Sequence, residues 1–175
     1  MLWDGGLRWW RQVGESGEVW GREARRGQEG GAVATFLGSY TYTLDDKGRV
    51  SLPAPFRREA AEQRFVLLQV YPPALALYPE EAWREVEERL KGVMRNDPEA
   101  RLWVLSLMAN AVEVTPDGQG RILVPAKLQE AANLSGQVLM VGAIDKVELW
   151  NPGDFEGALG EKGAKFEQYA PQIFR

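Results

Sequence analysis

The chain contains no cysteine and no histidine. The first absence excludes disulfides, thiol nucleophiles and thiolate metal sites, and the second excludes imidazole bases and histidine-ligated metals. Most hydrolase mechanisms go with them, so no catalytic residue, metal or cofactor is expected. Also lacking is any run of about 18 uncharged apolar residues, and the N-terminus has no charged segment leading into an apolar stretch. Neither a membrane span nor a signal peptide is therefore indicated, and the expected location is the cytoplasm. An excess of positive charge is missing too: the net charge is −4 and the pI about 5.1. General affinity for nucleic acid comes from neutralising phosphates with Lys and Arg, so any such contact must be local and concentrated. What is present, 175 residues of which 45% are apolar, suits one domain or two small ones with a genuine core.

Residues 1–34 differ in character from the rest. Four of the seven Trp (Trp3, Trp9, Trp10, Trp20) and eight of the nineteen Gly lie there, with no Phe, Tyr or Ile. Neither the helical nor the strand period is sustained. One reading is a disordered arm in which Trp anchors a partner, although disorder ordinarily avoids aromatics. The other, which the composition favours, is a leader that is not native protein, translated from a mis-set start. Gly, Trp, Arg, Glu and Val share G-rich codons, and Gln28-Glu29-Gly30 can encode a purine-rich ribosome-binding sequence ahead of Val33 as a GTG start.

The rest of the chain is organised around a stretch that occurs twice. Asp45-Asp46-Lys47-Gly48-Arg49 returns 72 positions later as Asp117-Gly118-Gln119-Gly120-Arg121. The continuations match as well, Val50-Ser51-Leu52-Pro53-Ala54 against Ile122-Leu123-Val124-Pro125-Ala126. A single Asp-x-x-Gly-Arg stretch between strands is most often only a well-made turn, with Gly supplying positive φ and Asp bonding nearby amides. Its duplication points further. Arg49 and Arg121 are read as paired DNA contacts, because an Arg fork matches both phosphate oxygens and the O6/N7 edge of guanine. Lys47 adds phosphate affinity in the first loop, and Gln119 a neutral hydrogen bond in the second. Gly48 and Gly120 shape the loops. Asp45 and Asp117 form them and orient the arginines, since a carboxylate beside phosphate is repelled.

In chain order, Ser39 to Leu44 reads as a strand ending at the first loop, and Arg49 to Leu52 as the returning strand. A short helix is expected over Phe56 to Gln63, then strands over Phe65 to Val70 and Ala74 to Tyr78. A clear helix follows Pro79, with Glu80 and Glu81 at the positive end of its dipole and Trp83, Val86 and Leu90 as its apolar stripe. Those two carboxylates are ordinary dipole complementation rather than a catalytic pair, and no enzyme is indicated. Asp97 as N-cap and Pro98 at the first helical position open another helix, running to about Met108. Leu102, Val104, Leu105, Leu107 and Met108 leave little of it polar, so burial is expected between the halves or against another subunit. Val114 to Phe155 then overlays Tyr42 to Trp83 at a constant offset of 72, placing Val138 and Leu139 on Val66 and Leu67.

The fold class expected is α+β and internally duplicated. Its parts are the leader (1–34), a first repeat (35–95), a connecting helix (96–110), a second repeat (111–160) and a loosely held tail (161–175). A lone hairpin is marginal in water, whereas two copies can interlock and bury both apolar faces. Two function classes remain: a DNA-binding regulator, and a non-DNA interaction or antitoxin-like module in which the same loops hold a protein partner.

Phe36-Leu37-Gly38-Ser39-Tyr40, the two Asp-x-x-x-Arg loops, Leu77-Tyr78-Pro79-Glu80-Glu81-Ala82-Trp83, Val141-Gly142 and Glu148-Leu149-Trp150 together closely resemble the MraZ family, over roughly Phe36 to Leu159. The resemblance implies an AbrB-like swapped-hairpin β-barrel with flanking helices and a homo-oligomeric ring. It further implies a nucleoid-associated transcriptional regulator that binds double-stranded DNA at TGGG-type direct repeats in the promoter of its own division and cell-wall gene cluster. The chain departs from the usual pattern in carrying Pro116 and Gly118 around the second loop's Asp.

Read back into nucleotides, the leader can itself encode such repeats. Trp3-Asp4 and Trp20-Gly21 must contain TGGG, and Val13-Gly14 and Ser16-Gly17 do so with suitable codons. The last three elements would start about 10 nucleotides apart, roughly one turn of B-DNA. The expectation is a translated operator, which the nucleotide sequence would test: a codon other than GTG at Val13 and no purine-rich run before Val33 would defeat it.

Overall fold

The computed structural model describes residues 34–60, 63–162 and 166–173. The expectations for residues 1–33 lie outside the described residues. Among the described residues eight strands and six helices follow one another in a mixed, antiparallel α+β arrangement. The first half contains β1 (Ser39–Thr43), β2 (Arg49–Ser51), helix α1 (Ala54–Glu59), β3 (Phe65–Leu68), β4 (Leu75–Pro79) and α2 (Glu80–Asn96). After α3 (Pro98–Met108) come β5 (Val112–Val114), β6 (Arg121–Leu123), α4 (Ala126–Ala131), β7 (Gln137–Gly142), β8 (Val147–Trp150) and α5 (Pro152–Lys162). The tail, expected as loosely held, carries a further helix, α6 (Phe166–Ile173).

Strand pairing crosses between the halves. Six strands form one sheet in the order β1-β7-β8-β4-β3-β5, while β2 and β6 form a separate ribbon. β1 thus pairs with β7, and its counterpart β5 with β3. Where a strand meets its own counterpart, equivalent residues face each other: Val50 opposite Ile122 in β2/β6, and Ala76 opposite Glu148 in β4/β8. The exchange continues in the loops, where Leu52 N donates to Gly120 O at 2.9 Å and Val124 N to Gly48 O at 2.8 Å.

Period-two alternation decides which side chains enter the core. Val50 and Ile122 are fully buried beneath the ribbon, with Phe36, Phe56, Phe65, Leu67, Leu75, Leu77, Val138, Met140 and Leu149 around them. Phe56 on α1 receives Phe36 and Tyr40 edge-on, at ring centroid distances of 5.6 and 5.2 Å. β4 is buried on both faces: Leu75 and Leu77 join this core, whereas Ala76 and Tyr78 join a second cluster under α2 and α3 that includes Trp83, Val86, Leu107 and Met108.

The constant offset of 72 fails at one strand. Tyr42 pairs with Val138, whereas Val114, its equivalent, pairs with Phe65. Val138 therefore stands on Phe65 and Leu139 on Val66, an offset of 73. The reason is the pleat: Phe65 and Leu67 point inward, as do Val138 and Met140, and a one-residue slip would have turned Gln137 into the core. The extra residue is taken up before β7, where Leu134 is buried and both Asn133 (φ 51°) and Gly136 (φ 72°) turn the chain.

Helix α3 begins as expected, with Asp97 Oδ1 accepting from Glu99 N at 2.9 Å and Ala100 N at 3.2 Å. Its burial is a correction within the chain. Val104 is buried, but Leu102, Trp103 and Leu105 are exposed. The expected helix over Phe56 to Gln63 is shorter, ending at Glu59 with Ala60 in an extended conformation.

Candidate nucleic-acid interface

Each Asp-x-x-x-Arg loop is built by one carboxylate and one glycine. In the first, Asp45 Oδ1 accepts from Lys47 N and Arg49 N, both at 2.9 Å, and Asp45 N donates to Arg49 O at 2.9 Å. Gly48 N closes the turn on Asp45 O at 2.9 Å with φ 76°, a left-handed conformation that glycine adopts freely. In the second, Asp117 Oδ1 accepts from Gln119 N and Arg121 N at 2.9 Å, and Gly120 N meets Asp117 O at 2.7 Å with φ 75°. Pro116 and Gly118 leave this geometry unchanged, and a Cβ on Gly118 would meet no atom within 4 Å.

The second oxygen of each carboxylate holds the arginine. Arg49 Nε donates to Asp45 Oδ2 at 2.8 Å and its Nη2 approaches the same atom at 2.7 Å. Arg121 repeats this on Asp117 Oδ2, at 2.9 Å from Nε and 2.8 Å from Nη2. A guanidinium carries five N–H donors, so this clamp leaves the Nη1 end of the fork outside the pair. Both arginines remain partly exposed, with 31% and 26% of the side chain accessible. Hydrogen bonds from Arg121, first from the guanidinium and then from the backbone, hold the Asp117 carboxyl down at about 2; Asp45 is lowered by the same causes from Arg49.

The ribbon brings the two loops together. With Val50 and Ile122 pointing inward, Arg49, Ser51, Arg121 and Leu123 share the outer face, Arg49 opposite Leu123 and Ser51 opposite Arg121. Arg121 Nη1 lies 4.0 Å from Asp45 Oδ2, linking the loops directly. Lys47 and Gln119 are exposed at equivalent positions, and Gly48 and Gly120 are buried beneath them.

Two further residues belong to this surface and escape a reading of the loops alone. Gln129 on α4 packs against Gly48 of the first loop and donates to Val124 O at 2.6 Å. Arg57 on α1 lies over Gly120 of the second loop and donates from Nη1 to Gln119 O at 3.4 Å. Arg57 and Gln129 are themselves 72 positions apart. That equivalence is visible in the sequence, but the loop each one reaches depends on the strand exchange. Among the described residues no group of three acidic side chains is arranged to hold a metal, and no helix is long and apolar enough to cross a membrane.

The molecule is thus an α+β protein whose two Asp-clamped arginines are displayed on one strand ribbon shared by both halves. A family model described as "MraZ protein, putative antitoxin-like" matches residues 35–105 and 107–173. The chain is 36% identical over 138 residues to the transcriptional regulator MraZ of Moorella thermoacetica, covering 79% of this chain and 96% of that protein. The same figures hold for the transcriptional regulator MraZ of Desulforamulus reducens. With that of Desulfitobacterium hafniense the identity is 40% over 116 residues, 66% of this chain and 80% of the relative. The chain belongs to the MraZ family.

Proposed function

We propose that this protein is a sequence-specific DNA-binding transcriptional regulator that reads TGGG-type direct repeats in the promoter of its own division and cell-wall gene cluster. Relatives named as transcriptional regulators support the class. The observation that carries the site is the pair of equivalent arginines on one outer face, each pre-oriented by its own carboxylate. Ordering the fork in advance reduces the side-chain entropy lost when it meets a base edge or a phosphate. In this reading Arg49 and Arg121 contact the duplex, Lys47 adds phosphate affinity, Gln119 supplies a neutral hydrogen bond, Asp45 and Asp117 orient, and Gly48 and Gly120 shape. No catalytic step, metal or cofactor enters it, and the protein would act at the nucleoid.

The same proposal reads the architecture as an internally duplicated, AbrB-like swapped-hairpin barrel, with repeats at 35–95 and 111–160 joined by the 96–110 helix. Pairing of β1 with β7 and of β5 with β3 supports it. It also includes a homo-oligomeric ring, supported by the apolar Leu102, Trp103 and Leu105 exposed on α3. In a ring several weak contacts to repeated boxes add through effective concentration, which offsets the acidic net charge.

Gel shift and anisotropy titration against the gene's own upstream duplex and an unrelated duplex test the DNA reading. Wild type should prefer its own upstream DNA, and Arg49→Ala with Arg121→Ala should abolish the preference. Undiminished binding by the double variant would remove these loops as readers. Absence of binding by wild type would favour the alternative, a non-DNA protein-interaction or antitoxin-like module; the family description reads "antitoxin-like".

A further inference from the structure

The two loops are equivalent in geometry but not in charge. Each reading arginine is matched by its own aspartate, so Arg49 with Asp45 and Arg121 with Asp117 bring no net charge to the surface. In the first loop the exposed Lys47 stands beside the clamp, and the side chain packed against Gly48 from the other half is the neutral Gln129. In the second loop the position equivalent to Lys47 is Gln119, and the side chain from the other half is Arg57. Each loop therefore has one cation and one neutral amide around its glycine, with the two roles exchanged between loop and helix.

Arg57 is placed for more than packing. Its guanidinium occupies the space that a Cβ on Gly120 would take, and its Cδ lies 3.1 Å from that point. Its hydrogen bond to Gln119 O is long, at 3.4 Å, and goes to an uncharged carbonyl. Among the described residues it has no carboxylate partner, unlike Arg49 and Arg121. It is only half-buried, with its guanidinium laid against the loop. An unneutralised cation held against a loop that displays a reading arginine is suited to a phosphate oxygen, and phosphate contacts set register without reading sequence.

The geometry points to Arg57 as the phosphate anchor of the second loop, supplied across the strand exchange by the first half to do for Arg121 what Lys47 does for Arg49. This assignment rests on the DNA reading proposed above. It makes the second contact a composite site: reader and orienting acid from one half, anchor from the other.

The test is a salt titration of binding to the gene's own upstream duplex and to an unrelated duplex of equal length. It compares wild type, Arg57→Gln, Arg57→Lys, and Arg57→Gln combined with Gln119→Lys, with thermal unfolding checking that each variant keeps its fold. Each phosphate contact contributes about 0.9 to the slope of log affinity against log salt on B-DNA. Arg57→Gln should bind both duplexes more weakly, with a slope shallower by about 0.9 for each engaged subunit and an unchanged preference between duplexes. Arg57→Lys should keep the wild-type slope. Moving the charge into the loop with Gln119→Lys should restore the slope to the Arg57→Gln variant. Wild-type affinity and slope in Arg57→Gln would overturn the assignment. So would weakened binding at an unchanged slope, because Arg57 would then only shape the loop. If wild type binds neither duplex, the DNA reading itself has failed and this one falls with it.

Discussion

At the scale of single residues, one aspartate per loop performs two tasks with two oxygens. Oδ1 holds backbone amides and Oδ2 holds the guanidinium, so the turn and the pose of the arginine depend on one ionised group. The consequence for pH has a definite sign. In the folded chain the Asp117 carboxyl lies at about 2, below its ordinary 3.8. Its contribution to loop stability is therefore complete above about pH 4 and is lost as pH falls through about 2. A carboxyl-carbon NMR titration should place the Asp117 midpoint at about 2, well below the ordinary 3.8. A midpoint near 4 would mean that the Arg121 clamp is not populated in solution. Arg57 shows the opposite limit, a side chain whose sequence neighbourhood says little. Its importance comes from a loop 62 residues away that β2 and β6 bring under it.

At the scale of elements, α3 has an interior and an exterior that the chain by itself does not use. Val104 is 1% exposed, while Leu102 is 68% exposed although equally apolar. If α3 joins subunits, Leu102→Glu should lower the mass measured by light scattering while leaving thermal stability of the subunit fold nearly unchanged. Surface substitutions away from special features usually fall within about 0.5 kcal/mol. An unchanged mass would take α3 out of the interface. The start of α3 was legible because Asp97 and Pro98 carry their mechanism locally, one accepting the first amides and the other needing no partner for its missing N–H. Both Asp-x-x-Gly-Arg turns were legible for the same reason. The register of β7 was not. Val138, Leu139, Met140 and Val141 are all apolar, so a shift of one residue left no mark in the pattern, and only pairing with Tyr42 on β1 resolves it. The length of α3's apolar face was visible too, but which residues meet a neighbour depends on where α2 and β4 pack.

At the scale of the described domain, the two halves share one core. Val50 comes from the first half and Ile122 from the second, both fully buried and directly opposed on the ribbon. Val50→Ala should cost about 2 kcal/mol through lost burial and the cavity left behind. Urea unfolding followed by far-UV circular dichroism and by tryptophan fluorescence should give coincident, single transitions shifted to lower denaturant. Trp83 and Trp150 report from opposite halves, beside Tyr78 and Phe155 respectively. Two separated transitions would show halves that fold independently. The exchange of strands also has a consequence for how the protein is made. β1 leaves the ribosome well before its partner β7, Gln137–Gly142, which is synthesised almost a hundred residues later. Until then β1 lacks its partner, and the edge of β4 that β8 later covers stands open. The nascent first half must wait in an unfinished state, exposed to aggregation and to chaperones, and the domain can close only once β7 and β8 are out.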